Sequence, residues 1–128
     1  MPNPVNEDTV EYAAIDWFRD LGYEYAHGAN IAPGEPTAER DSYRDVLLVG
    51  RLERALGRLN RHLPPAARPQ VFESVIGKLK KPGGVKLTKR YKHIREMLID
   101  GVDVEYRQGK KTIYEKVRLL NFDDPNAN

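Results

Sequence analysis

Apolar residues recur along this chain mostly at helical spacing. Val10, Ala14, Trp17 and Leu21 form one stripe and predict a helix over residues 7–21. Asn6 stands where a capping side chain belongs, Glu7 and Asp8 follow in the first turn, and Gly22 is placed to end the helix. Residues 23–41 hold two Pro, two Gly and few large aliphatics, and read as a long loop with a short strand possible at Tyr23–Tyr25. Ser42 with Asp45 resembles a capping box. Val46, Val49, Leu52, Ala55, Leu56 and Leu59 then mark a second helix, stopped by Pro64-Pro65. Val71, Phe72, Val75, Ile76 and Leu79 predict a third, closed by Pro82-Gly83-Gly84. Tyr91, Ile94, Met97 and Leu98 predict a fourth, closed by Gly101.

The period changes after Gly101. Val102-Asp103-Val104-Glu105-Tyr106 alternates as a half-buried strand does. Gln108-Gly109-Lys110 is a turn, and Thr112 to Phe122 reads as a longer partner strand. Residues 123–128 read as a linker or the start of a turn. An isolated hairpin is marginal in water, so this one must lie on helices or form the edge of a larger sheet. The expected fold is α/β, α+β by local reading: about four helices followed by a β-hairpin, in one domain spanning residues 1–128.

Composition narrows the function classes. Apolar residues make up 40% of the 128, enough for one core. The net charge is only +2, so affinity for nucleic acid has to come from a local patch. The absence of cysteine excludes disulfides, thiolate metal sites and cysteine catalysis. The polar, acidic opening through Asp8 does not read as a signal peptide, and no apolar run approaches the roughly 20 residues of a membrane span. The expected location is the cytoplasm.

Glu11 lies at the margin of the first helix's stripe, roughly 100° from Val10, with Glu7 four residues before it. Such a pair could lean over a divalent cation held elsewhere, or simply be exposed helix acids. Lys78, Lys80, Lys81, Lys86, Lys89 and Arg90, with Lys92 and Arg95, gather from the end of the third helix into the fourth. They are candidate phosphate contacts; a solvated helix face is the other reading. Arg51, Arg54, Arg58 and Arg61 share one side of the second helix and could pair with acids such as Glu53 or Asp45, or face a partner. His27, His62 and His93 are scattered, and no nucleophile motif, Walker loop or dinucleotide fingerprint occurs.

Four segments, in order, resemble the N-terminal region of the restriction (R, or HsdR) subunit of type I restriction–modification enzymes. Residues 7–23 are similar to that family's acid-bearing opening helix with its Leu21-Gly22-Tyr23 ending. Arg40 through Val46-Leu47-Leu48, then Arg51-Leu52 and Leu59-Asn60, resemble its second helix. Met97-Leu98, Gly101-Val102 and Val104 resemble its helix-to-strand junction, and residues 117–128 its strand and Pro/Asn segment leading toward the nuclease core. The chain departs near Tyr91, where the family often has Asn.

The resemblance implies the N-terminal part of a PD-(D/E)xK-like nuclease domain, incomplete at its C-terminal end. The full subunit would use Mg2+ to cleave double-stranded DNA and ATP to translocate it. Its partners would be the remainder of the R subunit and the modification and specificity subunits, with no membrane involved. Glu11 is the position matching a helix glutamate that supports the metal site in related nucleases. The catalytic Asp and Glu-x-Lys are absent here, since Glu115-Lys116 is adjacent rather than spaced. The chain alone is therefore expected to be inactive and to bind neither cofactor tightly. The alternative is a non-enzymatic module that binds DNA or a partner subunit.

Overall fold

The computed structural model describes residues 5–83 and 86–128. The chain divides into two compact units, Met1–Tyr43 and Arg44–Asn128. Gly84, part of the predicted Pro-Gly-Gly stop, lies outside the described residues.

The first unit is built on helix α1, Glu7–Asp20. Asn6 Oδ1 accepts from Thr9 N at 2.9 Å and from Thr9 Oγ1 at 2.9 Å, a cap worth about 1 kcal/mol. The helix ends in a Schellman motif. Gly22, at φ 92°, donates to Arg19 O, and Tyr23 N donates to Phe18 O. The accompanying contact is aromatic: the Phe18 and Tyr23 rings meet edge to face at 5.5 Å. Tyr23–Tyr25 is not a strand. Within this unit the rings turn back to the helix, with Arg19 lying over Tyr25 at 5.2 Å. The only regular element in the described part of the loop is a short 3-10 turn, Gly28–Asn30. Of the predicted stripe, Val10, Trp17 and Leu21 are 60–74% exposed and Ala14 is half-buried, and α1 buries no residue.

The second unit carries α2 (Val49–Leu59), α3 (Arg68–Lys80), α4 (Leu87–Asp100), β1 (Val102–Gln108) and β2 (Lys111–Val117). Helix α2 starts later than the pattern predicts. Its N-cap is Leu48, which supplies no capping side chain, so the Ser42–Asp45 pair is not its capping box. The reason lies in packing. Val46 is 88% exposed and falls outside the apolar face, which begins at Leu52.

The strands pair antiparallel, Val102 opposite Val117 and Gln108 opposite Lys111. Gly109, at φ 64°, takes the first position of the two-residue turn, where a positive φ is required. Val102, Val104 and Tyr106 face inward with Val117. They meet Leu56 of α2, Leu63 and Ala67 of the connection, and Val71 and Val75 of α3 in one buried cluster. Gly101, at φ 82°, joins α4 to β1; a Cβ there would stand 2.7 Å from Val117 O, so the junction requires glycine. The observed fold is α+β, with one face of a two-stranded sheet covered.

Candidate functional site

The polar groups with the most defined geometry in the second unit bond to the hairpin's backbone. Asn60, fully buried, follows the last turn of α2. Its Oδ1 accepts from Arg118 N at 2.7 Å, and its Nδ2 donates to Arg118 O and to Leu56 O, both at 2.9 Å. One side chain thus pairs both backbone groups of Arg118, as a neighbouring strand would. The reverse amide orientation would set donor against donor, so the pattern fixes the orientation. Strand β2 ends at Val117 instead of Phe122 because its partner begins at Val102, directly after the helix-ending Gly101. Sequence reading gives Asn60 only as part of the Leu59-Asn60 step and misses this role, because its partner lies 58 residues away.

Lys78 guards the other edge. Its Nζ donates to Asp103 O at 2.5 Å, so that carbonyl points away from β2 and is already used. Lys116 Nζ lies 3.6 Å from the Asp103 carboxylate. A groove of about 430 Å³ opens beside them, with Lys78, Lys81, His93 and Lys116 facing Glu96, Asp100 and Asp103. Its acids offset its bases, so it is a mixed furrow and not a continuous cationic track.

The remaining predicted cations are dispersed. Lys80 is exposed and does not line this groove. Lys86 is the N-cap residue of α4, and Lys89 and Arg90 sit in its first turn, where no acid is present. Cations there oppose the positive end of the helix dipole. Of the predicted arginine row, Arg61 lies beyond the end of α2, and Arg58 Nε donates to Ala127 O at 3.0 Å.

Glu11 and Glu7 lie exposed on α1. Among the described residues no three His, Asp or Glu side chains gather to hold a metal ion. Two carboxylates fall short of the oxygen-rich shell magnesium requires, so these residues do not fit a complete magnesium site.

A cluster missed by sequence reading surrounds Glu115, which faces the core opposite Val104. Tyr106 Oη donates to Glu115 Oε1 at 3.1 Å. His62 Nε2 stands 3.0 Å from Oε2, which is sealed from water without a hydrogen bond of good geometry. Burial first, then the bond to Glu115, then its charge, raise the Tyr106 phenol above its ordinary value. The unfolded chain sheds that proton near pH ~10, whereas the fold retains it. The phenol's contribution is therefore complete below about pH 10 and is lost as pH climbs toward the raised folded value. Urea midpoints taken from about pH 8 to 11 are expected to fall at the alkaline end, and Tyr106→Phe is expected to flatten that limb.

The class defined so far is an α+β protein whose ordered polar residues fix backbone, with no self-contained metal centre among the described residues. Comparison with known proteins supplies the family. The profile described as "Type I restriction enzyme R protein N terminus" matches residues 4–128, and the chain belongs to that family. It is 34% identical over 125 residues to the "Putative type I restriction enzyme MjaIXP endonuclease subunit" of Methanocaldococcus jannaschii. It is 31% identical over 119 residues to the "Type I restriction enzyme HindI endonuclease subunit" of Haemophilus influenzae. These alignments cover 97% and 93% of this chain but 11% of each relative. No solved structure matches. No helix among the described residues is long and apolar enough to cross a membrane.

Proposed function

We propose that this chain serves as the N-terminal part of a type I restriction subunit that, in full form, translocates DNA with ATP and cleaves it with magnesium. The observation that carries the reading is the family match across residues 4–128. Both relatives are named endonuclease subunits, which supports a nuclease as the parent. On this reading the fold is the front of a PD-(D/E)xK-like nuclease domain working in the cytoplasm. Its partners are double-stranded DNA, the rest of the subunit, and the modification and specificity subunits. Glu11 supports, without itself completing the ligand shell, a metal site formed by residues outside this chain.

Lys78, Lys80, Lys81, Lys86, Lys89 and Arg90 are proposed to meet phosphates. The start of α4 supports this: Lys86 and Lys89 stand at a helix N-terminus, where a phosphate would relieve their repulsion from the dipole. Lys78 contributes less, because its ammonium already bonds Asp103 O.

The test is to incubate the purified chain with duplex DNA and magnesium, as wild type and as the double variant Lys80→Glu, Lys81→Glu. Wild type is expected to bind weakly and salt-sensitively without nicking the duplex. The double variant is expected to lose about tenfold in affinity, with a salt slope smaller by about two. Unchanged affinity returns the lysines to a solvated face, and nicking by the purified chain overturns its predicted inactivity.

A further inference from the structure

Beyond β2 the chain does not trail away. Asn121 Oδ1 accepts from Asp123 N at 3.0 Å and Asp124 N at 3.1 Å, and Asp124 Oδ1 accepts from Asn126 N at 3.1 Å. Asn128 repeats the device used by Asn60. Its Oδ1 accepts from Asn121 N at 2.6 Å, while its Nδ2 donates to Asn121 O at 2.9 Å. Arg118 reaches Asp123 at 3.2 Å. Residues 118–128 therefore form a closed knot of side-chain-to-backbone bonds.

That knot is tied to α2 at two points. Asn60 holds its beginning at Arg118, and Arg58, two residues earlier on α2, holds its end through Ala127 O at 3.0 Å. Helix α2 is itself seated in the core through Leu56. The segment is thus bonded near both ends to one element, by a part-buried pair at Asn60 and by an exposed bond at Arg58. A guanidinium bound to a carbonyl makes a charge-assisted hydrogen bond, stronger than a neutral one.

We infer that Arg58 is a positioning residue for DNA cleavage: it fixes where, and in what direction, the polypeptide continues past Asn128 toward the catalytic strands. The inference rests on the reading that this chain is the front of a longer endonuclease subunit. Arg58 touches neither metal nor DNA in this role. It acts by holding Ala127, so the carboxylates that follow enter at a set place. Misplacement by about 1 Å can cost as much as 100-fold in a reaction rate.

The experiment uses the full-length subunit, assembled with its partner subunits, carrying Arg58→Ala, Arg58→Lys or Arg54→Ala. Arg54 is an exposed arginine on the same helix, and its replacement controls for loss of charge alone. Arg58→Ala is expected to slow magnesium-dependent cleavage about tenfold, with ATP hydrolysis within about twofold of wild type and an unchanged thermal midpoint. Arg58→Lys, which retains one charged donor, is expected to restore part of the loss, and Arg54→Ala to cleave as wild type does. Cleavage by Arg58→Ala at the wild-type rate overturns the inference. So does an equal loss in Arg54→Ala, or a parallel loss of ATP hydrolysis. A wild-type assembly that does not cleave at all overturns the underlying reading, and the inference with it.

Discussion

Replacing Asn60 with alanine is expected to destabilise the second unit by about 3 kcal/mol. The side chain supplies three hydrogen bonds from a fully buried position. Leu56 O keeps its bond from Asn60 N, so the penalty falls on Arg118, whose N–H and C=O both lose their partner. The two bonds to Arg118 are part-buried, so each group left unpaired costs about 1.5 kcal/mol, toward the low end of the range for a buried one. Asn60→Asp is a sharper variant. It keeps an acceptor for Arg118 N but turns a carboxylate onto Arg118 O, so it is expected to be at least as destabilising as alanine. Urea denaturation, read as a change in midpoint at constant slope, measures both. A loss under about 1 kcal/mol for Asn60→Ala would mean that water replaces the amide at Arg118.

The second large effect concerns Glu11 and is chemical. In the full-length subunit Glu11→Ala is expected to slow DNA cleavage by about 10- to 100-fold, the range for a group that supports a metal site from outside its ligands. ATP hydrolysis is expected to stay within about twofold, since on the proposed reading the two activities reside in different parts of the subunit. Stability is expected to hold, because Glu11 is exposed on a helix that buries nothing, and such substitutions usually stay within about 0.5 kcal/mol. Parallel loss of cleavage and ATP hydrolysis, with a lowered thermal midpoint, would assign Glu11 a structural role instead.

Much of this fold is readable from one-dimensional periodicity, and the reason is local. Helix α1, which the periodicity predicts over 7–21, runs from Glu7 to Asp20, because its cap, its acidic first turn and its Gly22 ending all act within a few residues. Val102, Val104 and Tyr106 alternate because side chains on a strand do, and they are the buried ones. Local signals misled at three places. Ser42 and Asp45 have the spacing of a capping box, yet α2 starts at Val49. Tyr23–Tyr25 has strand-forming residues but packs its rings on α1. Thr112 to Phe122 looks continuous, yet the strand stops at Val117 because its partner strand begins at Val102, directly after the end of α4.

The candidate site divides the same way. The acids of α1 and the lysines between α3 and α4 are visible in the sequence as charge at a given spacing, and the family is visible as four segments in order. Their surroundings are not visible. Lys78 reads as one more cation until its ammonium is found on the Asp103 carbonyl. Glu115 reads as half of a charged pair until it is found facing the core between Tyr106 and His62.

What the chain's sequence determined alone was therefore its helices, its hairpin, its family and the position of Glu11, all of which depend on neighbours in sequence. Tertiary structure decided which polar groups hold the backbone. Asn60 with Arg118, Lys78 with Asp103 and Arg58 with Ala127 join residues 25 to 69 positions apart. A hydrogen bond needs its donor and acceptor within about 3 Å, and only the packed fold brings such distant residues that close.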